Sequence, residues 1–121
     1  MWENKVYSFI GLAKKAGAVI TGEWLTEMAL KKGKVCLVII TEDASRNTRK
    51  KIEAALYNRD IPLIEFGHKE KMGQSLGKSF LSVISVTDRG FADRIKELIE
   101  QKGNKDNTAH GGGFFEQTKN S

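Results

Sequence analysis

Cysteine is nearly missing from this 121-residue chain, with Cys36 its single example. One thiol makes no internal disulfide and excludes any metal site built from several cysteines. Such usage fits a reducing compartment. Histidine is almost as scarce: there are only His68 and His110. Neither has a cysteine or a paired carboxylate close by in sequence, so neither marks a nucleophile with its base. His110 falls in the polar tail, and a lone surface histidine is the simpler reading of His68. Long apolar runs are missing as well. The longest, Val35 to Ile40, falls far short of the roughly 20 residues a membrane span requires. The opening Met1-Trp2-Glu3-Asn4-Lys5 lacks the apolar stretch of a signal peptide. A cytoplasmic protein is expected, with no membrane partner. The phosphate-cradling glycine fingerprints GxxxxGK[ST] and GxGxxG do not occur. The segment Met72 to Ser79 comes nearest, but its Gly73 and Gly77 have the wrong spacing for a P-loop.

What is present is an ordinary globular composition, 40% hydrophobic and 29% charged. The length suits one domain, since typical domains run to roughly 100–150 residues. The net charge is +5 and the sequence pI about 9.4. That excess is not evenly spread. Residues 1–51 carry ten Lys/Arg against five Asp/Glu, while residues 52–102 carry eight of each. The cations cluster as Lys14-Lys15, as Lys31-Lys32 with Lys34, and as Arg46 with Arg49-Lys50-Lys51. Basic clusters attract phosphate backbones through counterion release, although a solvated surface explains a modest charge equally well.

The apolar pattern alternates between helix and strand. Val6, Phe9, Ile10 and Ala13 keep helical spacing from Lys5 to Ala16, and Gly17 ends that helix. A short strand, Ala18 to Thr21, leads into a second helix from Gly22 to Lys32, with Leu25, Met28, Ala29 and Lys32 expected on one face. Val35 to Thr41 reads as a strand buried on both sides. Ser45 is a natural N-cap for a third helix reaching about Arg59. A strand from Pro62 to Phe66, a short helix from His68 to Leu76 and a strand from Leu81 to Thr87 follow. Asp88 caps a last helix to about Gln101. Such alternation predicts an α/β fold, a three-layer α-β-α sandwich with helices on both faces of a mostly four-stranded mixed sheet. The chain divides into a domain at residues 1–102 and a polar, glycine-rich tail at 103–121, expected to be flexible.

Candidate chemistry is sparse. Glu42 and Asp43 follow a strand, where active-site carboxylates often sit, and a hydrolase would need them to converge with His68 in one cleft. A turn or helix-start role accounts for them more simply. Gly22 opens a helix after a strand, which offers unpaired backbone N–H groups and the positive end of the helix dipole. Lys78 and Phe80 stand just before the last strand. A phenylalanine there suits stacking on an unpaired base, or simply starts the strand as a core residue.

Taken in order, Gly22, then Ala29-Leu30-Lys31-Lys32-Gly33, the apolar strand, and Thr41-Glu42-Asp43-Ala44-Ser45 form a set that resembles the kink-turn-binding ribosomal proteins. That family includes the large-subunit proteins called seven-Ae and thirty-e. Met72-Gly73-Gln74-Ser75-Leu76-Gly77 resembles its Leu-Gly-x-Ala-x-Gly signature, and Lys78-Ser79-Phe80 is similar to the loop that follows. Gly11-Leu12-Ala13-Lys14-Lys15-Ala16-Gly17 and Gly22-Glu23 resemble a small bacterial branch. The resemblance spans about Lys5 to Leu98. It implies an α-β-α sandwich that binds a sharply kinked RNA duplex at the start of the second helix. Relatives follow the matching glycine with a polar residue, Asn and Glu, and with Lys one turn later. This chain has Glu23, Trp24, Leu25 and Met28 there. Ser45 and Arg46 match a loop that flanks the RNA, Arg49 a position set against a flipped-out base, and Phe80 a loop that closes over the kink.

Three readings of the departure stay open. Glu23 can replace part of the polar contact, with Lys31 or Lys32 supplying charge. The same edge can take a different RNA. Trp24 and Leu25 can instead form an apolar surface for a protein partner, with kink-turn binding lost. The function expected is non-catalytic recognition of structured RNA, a kink-turn or rRNA, with ribosome association. The expected contacts are Gly22, Glu23, Trp24, Lys31, Lys32, Ser45, Arg46, Arg49, Lys78 and Phe80. No catalytic residue, metal, cofactor or small-molecule substrate is expected.

Overall fold

A computed structural model describes residues 2–106 of the chain. Nine elements follow one another: α1 (Trp2–Lys15), β1 (Val19–Thr21), α2 (Glu23–Lys31), β2 (Leu37–Ile40), α3 (Arg46–Leu56), β3 (Leu63–Glu65), α4 (Lys69–Ser75), β4 (Val83–Val86) and α5 (Arg89–Asp106). The strands are shorter at their ends than the apolar runs suggest, because the flanking residues turn into loops. Helix α1 starts three residues before the expected Lys5. Trp2 holds that extra turn: its indole N–H donates to the Leu98 carbonyl at 2.8 Å, and its ring meets Phe66 edge-on. Helix α3 stops at Leu56 rather than near Arg59, and Asn58 takes a left-handed backbone at φ 61° just beyond it. Helix α5 runs past Gln101 to Asp106. Residues 107–121, most of the expected tail, lie outside the described residues.

The sheet order is β1-β4-β2-β3. Strands β1 and β2 both pair antiparallel with β4, and β2 pairs parallel with β3, so the sheet is mixed. Side chains alternate across a strand, and each of the two central strands therefore feeds two cores. Leu37, Ile39, Ile84 and Val86 pack with Val6, Ile10, Met72, Ile95 and Leu98 beneath α1, α4 and α5. Val38, Ile40 and Val83 pack with Ala29, Leu30 and Ile52 beneath α2 and α3. All eight residues of β2 and β4 are buried, as the continuous apolar run of β2 predicts. Completely burying one such Val, Leu or Ile side chain contributes about 1.5–3 kcal/mol. The outcome is the three-layer α-β-α sandwich.

Helix α2 departs from expectation. Its buried face is Thr26, Ala29 and Leu30, while Leu25 and Lys32 face outward and Met28 is half-buried. Expectation followed the apolar residues, but the helix meets the sheet through a hydroxyl pair. The Thr26 hydroxyl donates to Ser85 Oγ at 3.2 Å, with both side chains fully buried. That pairing satisfies two polar groups that would be costly if buried alone. It also rotates Leu25 out of the core.

One loop is fixed by a close approach. Gly67 has φ 77°, and its carbonyl side leads directly to His68, whose N–H donates to the Tyr7 hydroxyl at 3.2 Å. A Cβ on Gly67 would lie 2.3 Å from that hydroxyl oxygen. Gly67→Ala is therefore expected to cost about 1–3 kcal/mol through backbone strain and the clash. Pairing it with Tyr7→Phe should recover only the part due to the clash, as measured by urea unfolding of the single and double variants.

Candidate nucleic-acid interface

The register assigns ends to the sheet. Thr21 pairs with Ile84, and Ile40 with Val83, so the ends of β1 and β2 meet the start of β4. The end of β3 joins them through Ile40 and Glu65. Backbone bonds stitch this edge together. Gly22 N–H donates to Val83 O at 2.8 Å, Thr41 N–H to Ser82 O at 2.9 Å, and Glu42 N–H to Gly67 O at 2.8 Å. Helices α2 and α3 both begin here.

Gly22 is the N-cap of α2 with φ 97° and ψ 155°, a conformation that side chains rarely tolerate. No side chain caps the helix. Gly22's own N–H is committed to Val83, so the open donors of the first turn belong to the residues after it. Helix α3 is capped differently: Ser45 Oγ accepts from Thr48 N–H at 3.1 Å. From there a chain of hydrogen bonds reaches α2. Ser45 Oγ donates to Thr48 Oγ1 at 3.1 Å, and Thr48 Oγ1 donates to Glu23 Oε2 at 2.9 Å. Lys51 Nζ stands 3.6 Å from the other oxygen of Glu23. Glu23 and Ser45 thus lock the two helix starts at a fixed separation. Sequence spacing gave no signal of this link, because Thr48 and Lys51 lie 25 and 28 residues from Glu23.

Arg49 is also tied inward. Its Nη2 donates to the carbonyls of Thr41 and Glu42 at 3.3 and 3.1 Å, and it forms an ion pair with Glu65. It clamps the ends of β2 and β3. Arg46 and Lys50, one turn apart on the exposed face of α3, make no ion pair among the described residues. Lys78 is likewise exposed and unpaired among them.

The aromatic members of the set point into solvent. Trp24 is 66% exposed and Leu25 49%, both in the first turn of α2. Phe80 is 66% exposed, so it is not a core residue at the start of a strand. Its loop is held tightly against α4. Lys78 N–H donates to Gly73 O at 2.8 Å, Leu81 N–H donates to Lys69 O at 3.1 Å, and a Cβ on Gly73 would come within 2.6 Å of Ser79 O. Trp24 and Phe80 each stand within three residues of the Gly22–Val83 bond.

Lys31 and Lys32 do not join this edge. Helix α2 runs away from Gly22, and nine residues at 1.5 Å put its end roughly 13 Å off. Both lysines are exposed at the opposite end of the sheet.

Glu42, Asp43 and His68 do converge, on an exposed shelf. His68 Nε2 lies 3.7 Å from Glu42 Oε1, and Asp43 Oδ1 accepts from the Lys69 N–H at 3.0 Å where α4 starts. All three are exposed. Among the described residues, no group of His, Cys, Asp and Glu is arranged to hold a metal, and no helix is long and apolar enough to cross a membrane.

Residues 4–96 match the model of the Ribosomal protein L7Ae/L30e/S12e/Gadd45 family. The RNA-binding protein YlxQ of Enterococcus faecium is 38% identical over 97 residues, which is 80% of this chain and 93% of that one. The RNA-binding protein YlxQ of Bacillus subtilis is 34% identical over 94 residues, 78% of this chain and 94% of that one. Among solved structures, a protein of unknown function from Bacillus halodurans superposes with a TM-score of 0.74 at 35% identity, covering 79% of this chain and 97% of that one. The Giardia lamblia 15.5kD RNA binding protein superposes with a TM-score of 0.68 at 18% identity, covering 83% and 86%, and shares the fold.

The shelf carries a pH signature. Desolvation alone would raise the Asp43 carboxyl, but hydrogen bonds, led by that from the Lys69 N–H, outweigh it and hold its pKa below the ordinary carboxylate value of 3.8. A lowered folded-state pKa contributes stability above pH 3.8, lost as the pH falls through the folded value. Asp43→Asn is expected to flatten that part of the acid-unfolding curve, as followed by circular dichroism. With the family model covering most of its length and two relatives above 30% identity, the chain belongs to the Ribosomal protein L7Ae/L30e/S12e/Gadd45 family.

Proposed function

We propose that this protein binds structured RNA at the edge built around Gly22, prefers a kinked duplex to a straight one, and does so without chemistry. The observation that carries this reading is the joint exposure of Trp24 and Phe80 beside the uncapped start of α2. A helix N-terminus presents N–H donors and a positive dipole end to a phosphate or a base edge. Exposed aromatic rings next to it offer stacking surfaces for bases that have left the duplex, as bases do at a kink. A straight A-form helix keeps its bases stacked and gives those rings nothing to hold. Relatives covering most of the chain carry the name RNA-binding protein.

Roles within the set divide by what each side chain already touches. Glu23, Ser45 and Arg49 act through position: they fix α2, α3 and the strand ends relative to one another. Arg46 and Lys78 have no ion-pair partner among the described residues and are the members left to neutralise phosphates, with Lys50 beside Arg46. Trp24 and Phe80 stack. The polar residue, asparagine and glutamate of the resembling proteins are replaced here by Glu23, Trp24 and Leu25. Direct readout of base edges by side chains therefore gives way to stacking and backbone donors. Rigid placement of the rings matters more in such a site than the number of hydrogen bonds. The same surface, used on or off the ribosome, fits a ribosomal or a regulatory RNA.

A second reading assigns the surface to a protein partner, favoured by Leu25 at 49% exposure next to Trp24. Titration of a kink-turn RNA and a matched straight duplex at two salt concentrations separates the two. Preference for the kinked RNA is expected. Removing a stacking ring costs about 1–3 kcal/mol per base, so Phe80→Ala and Trp24→Ala should each weaken kinked RNA roughly 5- to 150-fold and the straight duplex far less. Equal losses on both RNAs would remove the stacking assignment. No affinity for either RNA would turn the surface over to a protein.

A further inference from the structure

The opposite end of the sheet carries a second charged surface, which the edge around Gly22 does not use. Val19 and Leu37 are both register partners of Val86, so the starts of β1 and β2 meet the end of β4 there. Thr87 N–H donates to Ala18 O and Cys36 N–H to Val86 O, both at 2.8 Å. The chain enters this end from the last turns of α1, α2 and α3 and leaves it through the first turn of α5; the first, second and last of those carry the cations. Those segments bring Lys14, Lys15, Lys31, Lys32, Lys34 and Arg89 to one rim, all of them exposed. None makes an ion pair among the described residues.

The acids nearby are not paired with them: Asp60, on the connection from α3 into β3 at this same end, is exposed and makes no ion pair among the described residues. Asp88 is engaged, accepting from Phe91 N–H at 2.9 Å. Glu27 lies one turn before Lys31 and Asp93 one turn after Arg89, and neither is in an ion pair among the described residues. Within residues 1–51 the remaining five cations are matched by five acids, so the chain's whole excess of +5 equals these five lysines. Helix dipoles favour cations at helix C-termini, which accounts for Lys14, Lys15 and Lys31. That reason fails for Lys34, which lies beyond α2, and reverses for Arg89 in the first turn of α5. A common partner with negative charge explains all six together.

We infer that this rim is a second RNA-contacting surface, which takes the phosphate backbone of a duplex segment separate from the one at the Gly22 edge. The inference rests on the RNA-binding reading for its class of partner. Its balance differs: six exposed cations stand against one exposed ring, Tyr57 at the end of α3, so it reads charge more than unpaired bases. Helix α2 spans roughly 13 Å between the two surfaces. One molecule then holds two stretches of RNA, or two limbs of one folded RNA, at a fixed distance.

The test uses the full chain with two probes, a short-armed kink-turn RNA and a straight RNA duplex. In one variant Lys14, Lys15, Lys32 and Lys34 become Ala, and in a second the same four become Arg. Native mass spectrometry of the wild type with both probes is expected to show one protein carrying one of each. The alanine variant should lose that ternary complex, and its straight-duplex affinity should fall at least about tenfold at low salt. Its plot of log affinity against log salt should be shallower by about 3 for four lost phosphate contacts. The arginine variant keeps charge and should keep both properties, which separates lost charge from lost folding. An unchanged salt slope in the alanine variant, or no ternary complex with the wild type, overturns the inference. Loss of kinked-RNA preference with the slope difference intact overturns only the reading of the Gly22 edge.

Discussion

The antiparallel pairing of β2 with β4 is the constraint on which the molecule hangs. It sets Ile40 opposite Val83 and Leu37 opposite Val86, and every residue of both strands is buried. Odd and even positions of the same four-residue strands feed different helical layers, so a slip of one residue would turn both cores inside out. That register also decides which loops share an end. The Gly22–Val83 bond, the Thr41–Ser82 bond and the placement of α2 and α3 all follow from it. The proposed binding surfaces are attached to the ends of a pair whose interior has no freedom.

Much of this was legible in the sequence. The strand at Val35–Thr41, the Ser45 cap, the Asp88 cap and the glycines at 17, 22 and 33 each carry a local signal, and local signals survive folding. Strand order was not legible, since nothing in the apolar pattern says that β1 pairs with β4. Apolarity alone points to the wrong face of α2, because a buried hydroxyl pair sets its rotation. Thr26 and Ser85 are 59 residues apart, and their hydroxyl pair is invisible until the two elements meet.

The candidate site divides along the same line. Residues exposed by position, Trp24, Arg46, Lys78 and Phe80, stand on the Gly22 edge or on the loop leading into it. Lys31 and Lys32 were grouped with them because sequence places them on the same helix, yet a helix has two ends. Glu23, Ser45 and Arg49 hold hydrogen bonds to distant residues that no spacing rule supplies. Sequence identifies side chains with suitable chemistry. Only the tertiary contacts say which of them are already spent.

The two ends of the sheet attract anions by different physics. At the Gly22 edge, charge is mixed, with Glu23, Glu42, Asp43 and Glu65 among the cations, and two cations are tied to carboxylates. Attraction there comes from the oriented N–H groups of helix starts, which act over a few ångströms and demand close geometry. At the far rim, helix C-termini would repel a phosphate, and exposed lysines reverse that sign through long, mobile side chains that act over about a Debye length. A short-range, shape-demanding surface and a longer-range, tolerant one on the same rigid sheet suit an RNA that must be captured first and fitted afterwards. On the proposed reading, the lysines would raise the encounter rate for any duplex, and the aromatic edge would hold only one that can offer an unstacked base.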